Sequence, residues 1–161
     1  MRTRYGVTKW LALSSLPLML LLGPPGFGKH KDQTPEPPFQ YLAGTESIEK
    51  GCAGKLEVHK EGLTFICAGG TFSLPFSGIT VMQYRPDVSD KVMAMKIPWK
   101  TAPVLARVKD NKYFTIVSNE QGKLRAAVLR VNESDMQPYF AEIELQSGKS
   151  VQEYRNFDEF Q

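Results

Sequence analysis

Residues 54–65 read GKLEVHKEGLTF, and the reading of this stretch decides the fold class. Leu56 and Val58 alternate with charged side chains, His59-Lys60-Glu61-Gly62 supplies turn chemistry, and Leu63 and Phe65 resume the alternation. Period two on both sides of a glycine-bearing turn predicts an antiparallel hairpin with Val58 opposite Leu63.

Downstream, Gly69-Gly70 predicts a tight turn into a strand over 71–76, Ser77-Gly78 breaks it, and 79–84 reads as a further strand. Residues 85–91, with Pro86, Asp87, Ser89 and Asp90, read as a loop; 92–97 is a candidate strand, and Pro98 and Pro103 make the next stretch irregular. Residues 104–109, 112–118 and 123–131, joined by Asp110-Asn111 and by 119–122, predict a three-stranded meander. Then the period changes to that of a helix. Met136, Phe140 and Ile143 share a stripe, Asn132 or Ser134 can cap it (Ser134 with Gln137 as a capping box), Pro138 is expected in the first turn, and Gly148 ends it. A helix with one apolar stripe must cover something, and the open end of a bent sheet is the obvious place. The expected class is therefore mainly β: about seven strands bent into an antiparallel barrel or sandwich and capped by one C-terminal helix.

Upstream, Arg2, Arg4 and Lys9 precede an apolar run from Trp10 to Leu22, broken by Pro17 and ended by Gly23-Pro24-Pro25. That is the layout of a secretory signal over 1–28, with Gly26-Phe27-Gly28 as a weak cleavage site. The run is shorter than the roughly 20 residues of a spanning helix, and the alternative is an uncleaved segment that tethers the protein to a membrane. Residues 29–47, with Pro35, Pro37 and Pro38, read as a Pro-rich linker, 48–152 as the folded domain and 153–161 as a tail. The chain is thus expected to be exported, periplasmic or secreted.

The formal charge of +3 comes from 20 basic and 17 acidic side chains. Residues 1–28 hold three of the basic groups and no acid, so the remainder carries 17 of each and is neutral. The basic balance belongs to the export signal and gives no support for a nucleic-acid surface.

Several short stretches resemble the pleckstrin-homology-like superfold, in particular its bacterial and GRAM-like members. They are Gly54-Lys55-Leu56-x-Val58 and Glu61-Gly62-Leu63-x-Phe65. The segment from Phe72 to Ile79, with Leu74-Pro75 and Ser77, is similar to the step that enters the fourth strand of such domains. A helix closing on Ser147-Gly148-Lys149 before Val151 completes the likeness, over about 51–151. The resemblance implies a seven-stranded bent barrel capped by a helix. It implies no activity, because that scaffold hosts lipid, peptide and protein binding alike. Its lipid-binding members carry a basic cluster across the first hairpin; here Lys55, His59 and Lys60 are offset by Glu57 and Glu61, so phosphoinositide binding is not carried over.

With Val58 opposite Leu63, Cys52 and Cys67 fall on one face, two residues out of register. A bulge at Ala53-Gly54 would bring them opposite, and a structural disulfide is expected in an oxidising compartment, with two free core thiols as the alternative. Catalysis has little to work with. His30 lies in the linker and His59 at a turn, neither beside a group that would orient a base, and no nucleophile elbow, phosphate loop or zinc-ligand set is present. A non-enzyme with no cofactor is expected. Met93 and Met95 invite a copper reading, but as one face of a strand with Ile97 they read as core. Trp99, on an irregular loop beside Lys96, Lys100 and Arg107, either lines a ligand groove or plugs the end of the barrel. Tyr154, Phe157 and Phe160 either pack on the domain or form a partner-binding peptide, and Asn132-Glu133-Ser134 is a glycosylation sequon. The expected role is a non-catalytic binding or envelope-associated module for a protein partner or small ligand. A small-ligand or lipid carrier with a groove near Trp99, and a copper-handling protein using Met93 and Met95, are the alternatives.

Overall fold

In a computed structural model, residues 37–103 and 112–154 are described. Strands β1 (Phe39–Gly44), β2 (Ala53–His59), β3 (Gly62–Cys67) and β4 (Gly70–Pro75) are followed by a single 3-10 turn, Phe76–Gly78. Strand β5 (Ile79–Arg85) leads to the short helix α1 (Asp90–Met93), strands β6 (Lys112–Glu120) and β7 (Lys123–Val131), helix α2 (Glu133–Ser147) and the two-residue β8 (Gln152–Glu153). All eight strands form one sheet in the order β4-β3-β2-β1-β7-β6-β5-β8, antiparallel except for the β5–β8 pair. The class is mainly β with a C-terminal helix, as expected. The barrel is not: β4 and β8 stand at the two edges, so the sheet does not close on itself. Phe76–Gly78 turns the chain away between β4 and β5, with the Phe76 N–H donating to the Glu61 carbonyl at 2.8 Å.

The first hairpin has the predicted register, with Val58 opposite Leu63 and Leu56 opposite Phe65. Its neighbour turns one residue earlier than read, at Ala68-Gly69, because Cys67 pairs with Gly70. At the β6–β7 hairpin Gln121 (φ 53°) and Gly122 (φ 84°) both take positive φ, which matches the right-handed twist of the strands that they join.

Two placements of whole segments are also corrected. The folded unit does not start at Ile48. Phe39–Gly44, inside the segment 29–47 read as a linker, is a central strand that pairs β2 on one side and β7 on the other. Its Phe39 and Tyr41 are wholly buried, and burial pushes the Tyr41 hydroxyl up to about 12. The stretch 92–97 is not a strand. Ser89 caps α1 by accepting from the Val92 N–H, and the chain then runs on irregularly.

The inner face of the sheet gathers Phe39, Tyr41, Leu56, Leu63, Phe65, Phe72, Leu74, Met82, Tyr84, Phe114, Ile116 and Leu129 into one core. Helix α2 closes it. Met136 and Ile143 are fully buried, Tyr139 meets Phe39 edge-on at 4.9 Å, and Phe140 meets Tyr84 at 5.4 Å, so the helix bridges β1 and β5. The cap is Asn132, whose side-chain oxygen accepts from the Asp135 N–H at 2.8 Å; Ser134 donates to that same oxygen and forms no capping box. Pro138 is consequently the sixth helical residue, not within the first turn; both it and Ser134, whose carbonyl loses its donor, are exposed to water. Asn132→Ala is expected to cost about 1 kcal/mol, read by chemical denaturation, because one amide of the first turn loses its acceptor. A loss below about 0.3 kcal/mol would show that the neighbouring Asp135 and Glu133 suffice.

Candidate functional site

Strands β2, β3 and β4 are buried on alternate residues only, whereas β6 and β7 are buried on both faces. The second cover comes from the connection after β5. Residues 86–103 cross the outer face and place Val88, Val92 and Ile97 against Ala43, Val81, Val117, Ala126 and Val128. Ser89 ties the start of this strap to the sheet by donating to Gln83 Oε1 at 2.7 Å. Its far end is pinned to β1, where Gly44 exchanges backbone hydrogen bonds of 3.0 and 3.2 Å with Thr101 and accepts a third from Lys100. Gly44 must be glycine, since a Cβ there would stand 2.6 Å from the Ala126 carbonyl oxygen.

A cleft of about 170 Å³ remains between strap and sheet, lined by Leu42, Val88, Pro103, Val128, Tyr113, Lys50 and Arg130. Leu42 reaches it through a bulge. Tyr41 pairs with Leu129 and Ala43 with Val128, so Leu42 is the extra residue and joins Ala43 on the outer face. Lys50 comes from the tight turn between β1 and β2, held by the Gly51 N–H on the Tyr41 carbonyl (2.7 Å) and the Cys52 N–H on the Glu49 carbonyl (3.2 Å). The Cys52–Cys67 disulfide, with Cα atoms 6.1 Å apart, staples that turn to β3. It forms with Gly54 opposite Cys67 and no shift in the hairpin register, so the expected bulge at Ala53-Gly54 is unnecessary; Cys52 lies just outside the strand.

The charges of the cleft differ from those elsewhere. Of the three described arginines, Arg85 holds Asp87 at 3.2 Å, and Arg125 holds Glu46 at 2.9 Å and Glu120 at 3.2 Å. The side chains of Arg130 and Lys50 have no ion-pair or hydrogen-bond partner among the described residues. Burial pushes the Tyr113 hydroxyl up, and the Arg130 charge opposes that shift. On the same face, opposite Val128, Thr115 carries a buried hydroxyl oxygen without a partner among the described residues. An uncompensated buried hydroxyl is costly, and such atoms are rare in folded proteins.

The residues singled out from sequence are not gathered in this way. Trp99 packs half-buried against the outer-face core, Lys100 donates to Ser47 Oγ at 2.9 Å, and Lys96 is exposed; Arg107 lies outside the described residues. Met93 ends α1, Met95 follows it, and both pack against that same core rather than along a strand. His59 faces Glu57, not Glu61, at 3.4 Å. Lys55 and His59 hold the Glu57 carboxyl below its usual range, at an exposed surface pair. A wider polar depression of about 760 Å³ contains Glu46, Glu120 and Arg125, but its guanidinium is already held by two carboxylates. Among the described residues no three His, Cys, Asp or Glu side chains are grouped to hold a metal, and no helix is long and apolar enough to cross a membrane.

No family model, curated protein or solved structure matches the chain. The cleft is the feature of the molecule from which function can be read. Sequence reasoning missed it because its seven residues come from five separate segments. One signal was available: Leu129 and Val131 alternate with Val128 and Arg130, so one face of β7 carries a cation among apolar neighbours.

Proposed function

We propose that this protein is an exported, non-catalytic binding module on a pleckstrin-homology-like scaffold, and that a small ligand occupies the outer-face cleft. The observation that carries the reading is a pair of cations, Lys50 and Arg130, whose side chains have no partner among the described residues, at an apolar cleft under the strap. Few convergent polar groups on largely apolar walls are the usual composition of a ligand site. The scaffold reading is supported by seven strands, β1 to β7, that precede a helix packed on their inner face. Export is supported by the disulfide, which suits an oxidising compartment. The step from Pro75 to Ile79 enters β5, one strand later than the resemblance counts from sequence, because β1 lies in the former linker.

Native mass spectrometry of the protein purified from the cells that make it tests the reading. The expected spectrum shows a small-molecule adduct that denaturation removes, on a chain starting near Lys29. Stoichiometric copper lost on Met93→Leu with Met95→Leu would replace the proposal with metal handling. An empty chain co-purifying with one envelope protein would replace it with protein docking.

A further inference from the structure

We propose that the ligand of this cleft is a short aliphatic carboxylate, its chain against Leu42, Val88 and Val128 and its head between Arg130 and Lys50; this rests on the binding-module reading above. The size of the cleft bounds the ligand. About 170 Å³ accommodates roughly six water-sized groups, which is room for a chain of a few carbons and below the volume of a typical drug-sized site. The sign of the charge follows from the cations. A guanidinium half-buried beside a tyrosine, with no carboxylate on it among the described residues, is favoured by any anion that completes its hydrogen bonds, and charge-assisted bonds are the strong ones. A cationic ligand would face two like charges, and a neutral alcohol would leave both cations as they are.

A single anionic head also agrees with the layout of the rim. Arg130 leaves from β7 and Lys50 from the turn before β2, so the two cations approach from different strands over an apolar floor. Tyr113 lines the same cleft beside these two cations. The Thr115 hydroxyl lies on the same face of the sheet as these groups.

The test is titration of the isotope-labelled full chain with hexanoate, hexanol and hexyltrimethylammonium, followed by amide and methyl chemical shifts. Hexanoate is expected to shift Leu42, Val88, Tyr113 and Val128, and Arg130→Gln to weaken it about tenfold to hundredfold. Lys50→Gln, at an exposed site that folding does not need, is expected to weaken it severalfold, less because its charge is screened. Hexanol binding at the same residues as tightly as hexanoate would overturn the carboxylate inference and leave the cleft as a binding site. Hexanoate binding that both variants leave unchanged would do the same. No shift with any of the three probes would overturn the cleft as a ligand site altogether.

Discussion

Phe65→Ala is expected to destabilise the protein by about 3–5 kcal/mol, the range for removing a buried aromatic ring. Phe65 is wholly buried at the centre of an aromatic group, stacked on Phe72 at 5.5 Å and tilted against Tyr41 at 6.3 Å. The ring also occupies the space over Gly54, where a Cβ would stand 2.8 Å from it. That neighbour has no side chain with which to fill the hole, so the cavity left by alanine stays open and the full cost is felt. Urea denaturation is expected to show the midpoint falling by about 1 M or more at unchanged slope. Leu145→Ala is the control: at 82% exposure it is expected to change stability by less than about 0.5 kcal/mol. A Phe65→Ala loss under about 1 kcal/mol would mean that the hairpin does not pack into the common core as described.

Removing the Cys52–Cys67 bond is expected to cost about 3 kcal/mol, the chain-entropy value for a loop of this length. The native hairpin already has its register through paired backbone groups from Gly54–Cys67 to His59–Gly62, so the bond acts mostly by restricting the unfolded chain. For a folded unit of this size the double variant Cys52→Ser, Cys67→Ser is expected to melt about 10 °C lower than the oxidised protein. Reductant should bring the unmodified protein to the same midpoint and expose two alkylatable thiols. Oxidised and reduced forms melting within about 2 °C of each other would refute the assignment of stability to this bond.

What could be read along the chain was local. The β2–β3 register, the β6–β7 hairpin with its Gly122 turn, and helix α2 ending on Gly148 each carry period and punctuation within about 20 residues. Strand β1 was hidden for an equally local reason. Pro35, Pro37 and Pro38 dominate the composition before it, and the bulge at Leu42 breaks the alternation that Phe39, Tyr41 and Ala43 begin. In the strap, Val92 to Ile97 shows apolar spacing that suits a strand, but Ser89 caps a helical turn instead, and no neighbouring strand claims the segment.

Sequence alone therefore determined the class of this protein, its β2–β3 and β6–β7 hairpins and its closing helix, and left the Cys52–Cys67 bridge as one of two readings. Tertiary structure decided that the sheet stays open, that β1 is its central seam, and that the outer face of β6 and β7 is covered. It alone brought Lys50 and Arg130, 80 positions apart, to one cleft. The physical reason is that hydrophobic periodicity records which face of a strand avoids water, whereas the segment that covers that face is chosen by long-range packing. Cations that no described carboxylate holds become visible only in the folded arrangement.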